Sequence, residues 1–145
     1  MPGSPHVWLR EAIETATGST AWPVGMTGTS GPPFVVYARE ATSREQVLAD
    51  TFDDTPADDQ VNPVARFLVA IYADDYVQAW TIAGQITSAI HKFAGTVYGD
   101  AITVIEHCLV LDERDSQPDY LDGRETPTYT VELSVEIRWT GTDLQ

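Results

Sequence analysis

The chain has 145 residues, 8 of them basic and 22 acidic, for a formal net charge of −14, and a chain of that length fits one domain that buries roughly 68–70% of its unfolded surface. A hydrophobic content of 43% excludes general disorder, a single cysteine (Cys108) excludes an internal disulfide framework or a multi-cysteine zinc site, and no run approaches the ~20 apolar residues of a membrane-spanning helix. With Lys92 its only lysine, so acidic a surface cannot displace counterions from phosphates over a broad area, which disfavours gene regulators, nucleic-acid packagers and binders of anionic membranes.

Met1-Pro-Gly-Ser-Pro-His6 lacks a basic region followed by an apolar stretch, so no secretory leader is expected and the thiol is expected in a reducing compartment. Ser4-Pro5 reads as a helix N-cap followed by proline at the first helical position. Val7, Trp8, Ala12 and Ile13 then form an apolar stripe opposite Arg10, Glu11 and Glu14, predicting a helix from about 5 to 16 that stops at Gly18. Residues 18–33 are rich in glycine and proline and read as loop, with a short strand at 21–25. Pro33 to Arg39 is a β-rich run. The stretch 40–62 carries seven acidic residues and one arginine, with a helical turn or two over 43–48 and no usable period beyond it.

Val64 to Tyr72 is apolar on both faces except at Arg66, as in a central or covered strand. Asp74 and Asp75 are placed to cap the next helix. In it Tyr76, Ala79, Trp80, Ala83, Ile86 and Ile90 recur at helical spacing through to about Phe93, ~19 residues spanning ~28 Å. Gly95 and Gly99-Asp100 mark its exit and a turn, and Ala101 to Leu111 reads as a second doubly apolar strand. An acidic loop with six acidic residues and two arginines is expected over 112–125. From Thr128 to Trp139, apolar and polar residues alternate strictly, the clearest strand pattern in the chain. Residues 141–145 are expected to fray. The order predicts one α+β domain over 1–145: a mostly antiparallel sheet of four to five strands, a long helix across one face, and a short N-terminal helix.

Candidate chemistry is sparse. His107 and Cys108 adjoin in a strand and therefore point to opposite faces, while His6 and His91 fall in predicted helices that nothing in the sequence brings near the thiol. Cys108 thus reads as a buried structural residue. Asp53-Asp54 and Asp58-Asp59 lack the rigid support of a metal or acid–base site, and the alternating pattern of a calcium loop is absent. Gly25, Gly28 and Gly31 do not have phosphate-loop spacing. No catalytic residue, cofactor or metal ligand is assigned. Trp80 and Trp139 fall on apolar faces and read as core, whereas Trp22, in a Gly/Pro-rich segment, is the candidate anchor of a protein contact.

The segment Arg66 to Ile86, a hydrophobic strand running into a helix with Ala79, Ile82, Ala83 and Ile86, resembles the central strand–helix unit of the phage tail terminator family, also called tail completion or head–tail joining proteins of long-tailed phages. The strand Tyr129 to Ile137 is similar to that family's last strand, and the likeness spans roughly 63–140, with the rest matching in order. The resemblance implies a non-enzymatic virion protein made in the host cytoplasm and placed in the tail or neck. It implies a homo-hexameric ring that caps the tail tube, meets the tube protein on one side and a head-side connector or stopper protein on the other, and lets DNA pass without specific binding. Such a ring gives the charge a use, because a negative wall does not hold phosphates. Asp53, Asp54, Asp58, Asp59, Asp112, Glu113, Asp115, Asp119 and Asp122 are the candidates to face the channel or basic patches on partners. Two other readings stand beside it: a small intracellular adaptor binding a basic protein through its acidic loops, or another neck protein of the head–tail connector. A small enzyme with carboxylate chemistry ranks last.

Overall fold

The computed structural model describes residues 5–23, 33–43, 64–97, 103–116 and 127–141. Eight elements follow in order: α1 (Pro5–Thr17), β1 (Ala21–Pro23), β2 (Phe34–Ser43), β3 (Val64–Ala73), α2 (Tyr76–Ile90), β4 (Gly95–Val97), β5 (Thr103–Asp115) and β6 (Tyr129–Gly141). The strands form one six-stranded sheet in the order β1-β2-β3-β6-β5-β4. The architecture is α+β as expected, but the sheet is larger and mixed: β1 pairs parallel to β2, and every other pairing is antiparallel.

Period two decides which residues enter the core. Ala65, Phe67, Val69, Ile71 and Ala73 of β3 face Val131, Leu133, Val135 and Ile137 of β6 across matched register, and all are sealed from solvent. Over this face lies α2, which buries Ala79, Ile82, Ala83, Ile86 and Ile90. Next to α2 packs α1, burying Trp8, Leu9 and Ile13, and Trp8 stacks on Phe93 with ring centroids 4.9 Å apart. Each such large apolar side chain, fully buried, contributes about 1.5–3 kcal/mol. The opposite face of β3 is half-covered rather than sealed, with Leu68 and Tyr72 at its surface and Tyr72 stacked on Phe34 at 5.0 Å.

Several expected boundaries move, each for a local reason. The long helix stops at Ile90, 15 residues long, because Lys92 takes a left-handed conformation (φ 65°) and its N–H donates to the Cys108 carbonyl at 2.6 Å. Asp75 sits at the N-cap, yet its carboxylate makes no capping bond; its backbone carbonyl accepts from Ala79 N–H at 3.0 Å. Tyr76, placed on the apolar stripe by spacing, is exposed, as is Val7 of α1. Extended structure continues through 40–43 on β2, across a bulge between Arg39 and Ala41, and through 112–115 on β5, across bulges at 105–107 and 110–112. The segment expected to be an acidic loop from 112 therefore begins as strand: alternating charge is compatible with a solvated strand edge, and Arg114 pairs across to Glu132 on β6 at 3.2 Å. Strand β4 lies where only a turn was expected. Of the helical turn or two expected over 43–48, Ser43 is instead the last residue of β2, paired with Val64, and 44–48 lie outside the described residues.

Candidate functional site

The sheet presents two unlike edges. One is built by α1, β1 and β2; the other by β5 with its short neighbour β4.

At the first edge a cleft of about 580 Å³ opens between α1 and β2, lined by His6, Val7, Arg10, Glu11, Glu14, Pro23, Tyr37, Ala38, Arg39 and Phe67. Its walls follow from helix and strand periods. His6, Arg10 and Glu14 stand four residues apart on one face of α1, and Tyr37 and Arg39 two apart on the inner face of β2. Arg10 meets Glu14 at 3.6 Å, and Glu14 also accepts from the Ala21 N–H at 3.1 Å, which ties α1 to β1. The Arg39 guanidinium lies over two rings, 5.4 Å from the centre of Phe67 and 5.7 Å from that of Trp139, and approaches His6 Nδ1 at 3.5 Å. Burial, then the charge of Arg39, lowers the pKa of His6 below its ordinary value, so its imidazole is neutral at neutral pH. Burial raises that of Tyr37, with Arg10 and Glu14 pulling in opposite directions.

At the second edge β5 runs past its neighbour. Strand β4 covers only residues 103–105, and the exit of α2 covers the next stretch: Lys92 N–H donates to Cys108 O, and Val110 N–H to His91 Nδ1 at 3.0 Å. His91, expected near the end of the long helix, is instead its C-cap and touches β5 two residues from the cysteine, a tertiary contact with no signature in spacing. Beyond Val110, Leu111 is 49% exposed at the bulge, and Asp112, Glu113 and Asp115 are exposed. Glu113 accepts from Thr87 Oγ1 at 3.0 Å, Asp115 from the Tyr76 hydroxyl at 2.8 Å, and Asp112 lies 3.9 Å from Arg114. The bond to Asp115 raises the pKa of Tyr76.

Three of the nine acidic candidates are therefore gathered on one strand edge. Asp53, Asp54, Asp58, Asp59, Asp119 and Asp122 lie outside the described residues. Trp22 is half-buried on β1, opposite Val36. Cys108 is sealed in the core, its pKa pushed up to about 12 by burial, while His107 projects from the other face to within 3.3 Å of Glu136, which also meets Arg66 at 3.5 Å. Neighbours in sequence, the thiol and the imidazole do not meet. What sequence reasoning missed is the cleft: Arg10, Arg39 and His6 come from two distant segments, and only the α1–β2 packing joins them. No described helix is long and apolar enough to cross a membrane.

No family model matches the sequence, and no curated protein matches it. Among solved structures the chain is similar to one chain of the virion of a native gene transfer agent particle, with a TM-score of 0.54 and 14% identity over 88% of this chain and 83% of that one. At that identity the likeness is one of fold.

Proposed function

We propose that this protein is a structural subunit of a phage-like virion that closes into a homo-hexameric ring, caps the tail tube, joins it to a head-side connector and leaves a channel for DNA. The observation that carries the reading is the shared fold with a virion chain over most of both lengths. Two physical features support it. The sheet has different edges on its two sides, as a head-to-tail contact requires, because a ring forms when one patch of a subunit meets a different patch of the next. A net charge of −14 per subunit repels DNA phosphates, so a duplex passes such a wall without adhering. The protein acts by shape and turns over no substrate; its thiol is buried and held protonated.

The test is location and loss. Purified particles contain this chain at the head–tail junction, seen by mass spectrometry and antibody labelling. Deleting its gene leaves heads unjoined to tails, with tubes of irregular length. Normal infectious or transducing particles lacking the chain would reject the proposal.

A further inference from the structure

We propose that the exit of α2 is a proton-operated clasp on the edge of β5: protonation of His91 breaks its bond to the Val110 N–H and uncovers the strand edge there. The inference does not depend on the ring reading above.

A strand at the edge of a sheet leaves a row of N–H and C=O groups without a strand neighbour, and such a row has to be covered or solvated. On β5 the first stretch, residues 103–105, is covered by β4. The next groups on that side are taken by the two residues that end α2. Lys92 N–H donates to the Cys108 carbonyl at 2.6 Å, and Val110 N–H donates to His91 Nδ1 at 3.0 Å. Cys108 and Val110 stand two apart, so their backbone groups point to the same side of the strand. Together the two bonds stand in for a neighbouring strand.

Only one of them can be switched by a proton. The bond from Lys92 joins two peptide groups. The bond from Val110 needs the lone pair of Nδ1, so it exists only while His91 is neutral with its hydrogen on Nε2. Once Nδ1 is protonated, it meets the Val110 N–H donor to donor. Histidine is the side chain whose charge changes in mildly acid solution, and His91 is exposed, so the proton reaches it without unfolding. The clasp also holds strain. Lys92 has φ 65°, a left-handed conformation costly for any residue with a Cβ, and such a residue keeps it where its surroundings enforce it. With the His91 bond gone, the Lys92 bond alone is left to enforce it.

The groups around His91 define the competing titrations. Lys92 follows it in the chain. On β5, Glu106 and Asp112 are exposed, Glu113 is bonded to Thr87 one turn earlier on α2, His107 turns to Glu136 on the other face, and Cys108 is sealed in the core. Strand β4 has no titratable side chain, α1 directs its charged residues to the cleft against β2, and β3 and β6 carry theirs on the face away from the helices. Among these, Glu113 is the other titratable group tying α2 to this end of β5, together with Asp115 on Tyr76.

NMR titration of the full chain from about pH 7.5 to about 4.5, with amide exchange referred at each pH to the unstructured rate, tests this. The Val110 amide signal follows the His91 ring signal with one midpoint, and its protection falls roughly two- to tenfold below that midpoint, as expected for the loss of one such hydrogen bond. In His91→Asn a side-chain oxygen takes the place of Nδ1 and does not titrate, so protection persists in acid. In His91→Ala protection is low throughout, with circular dichroism checking the fold; His91→Asn keeps the test decisive if that variant fails to fold. A Val110 amide that does not respond at the His91 midpoint would overturn the proposal. So would a His91→Asn variant that loses protection at the same pH as wild type, which would assign the release to Glu113 and Asp115 instead.

Discussion

Replacing Phe67 with alanine probes the point where core and cleft meet. The ring is 1% exposed, lies on β3 between Arg39 of β2 and Val135 of β6, and carries the Arg39 guanidinium 5.4 Å above it. Truncating a buried phenylalanine costs about 3–5 kcal/mol, transfer and cavity together, and includes the cation–π contact, which contributes about 0.5–1 kcal/mol where the cation is exposed. For a chain of this length each kcal/mol lowers Tm by about 2–4 °C, so a fall of roughly 6–20 °C is expected. Phe67→Leu keeps most of the apolar contact and loses the ring, and is expected to cost about 1–2 kcal/mol. Urea denaturation followed by tryptophan fluorescence measures both, with the midpoint moving and the slope constant if the transition stays two-state. A loss below about 1 kcal/mol for Phe67→Ala would refute the reasoning, because it would mean that the centre of the sheet is not sealed under the helices.

Three further outcomes are expected. Cys108 stays protonated in the fold up to about pH 12, whereas the unfolded thiol ionises near 9; stability is therefore unaffected by this group below pH 9 and is lost as pH rises toward 12, and a steeper alkaline fall in Tm for wild type than for Cys108→Ala checks it. Gly18, with φ +71°, ends α1 in a left-handed conformation, while Gly84 lies on the exposed face of α2 with open space around it. Gly18→Ala is thus expected to destabilise by about 1 kcal/mol and Gly84→Ala to stabilise by about 0.5–1 kcal/mol, opposite signs that thermal unfolding resolves. Arg114→Ala removes exposed ion pairs to Glu132 and Asp112 and is expected to change stability by less than about 1 kcal/mol, with the remaining effect vanishing in high salt.

The strands and helices that bury one face were legible because burial imposes a period. Val131, Leu133, Val135 and Ile137 alternate with polar residues and occupy the core as the pattern demanded. The helix Tyr76–Ile90 was equally plain, except at its end, where the deciding contact was Lys92 with Cys108, a carbonyl on a strand not yet reached in the chain. The short edge strand β4 escaped for the opposite reason: Gly95–Val97 has three residues, too few to show any period, and is held by pairing with β5, whereas β1 fell within the short strand expected at 21–25. Charged segments misled because charge signals solvent, not loop; Asp112 to Asp115 are wet and still extended. Of the candidate sites, the carboxylates at the end of β5 were visible in composition, whereas the Arg10–Arg39–His6 cleft was not, since it depends on how α1 packs on β2.

Strand β6 pairs with β3 on one side and β5 on the other, although it follows both of them in the chain. While the chain is growing, two long strands wait with a vacant lane between them, and the sheet closes only when residues 129–141 arrive to fill it. Folding is thereby delayed to a late moment and then completed by long-range pairing, which is slow. During that interval a nascent chain is exposed to insertion of a foreign strand, and a peptide spanning 129–141 is the natural decoy for arresting it.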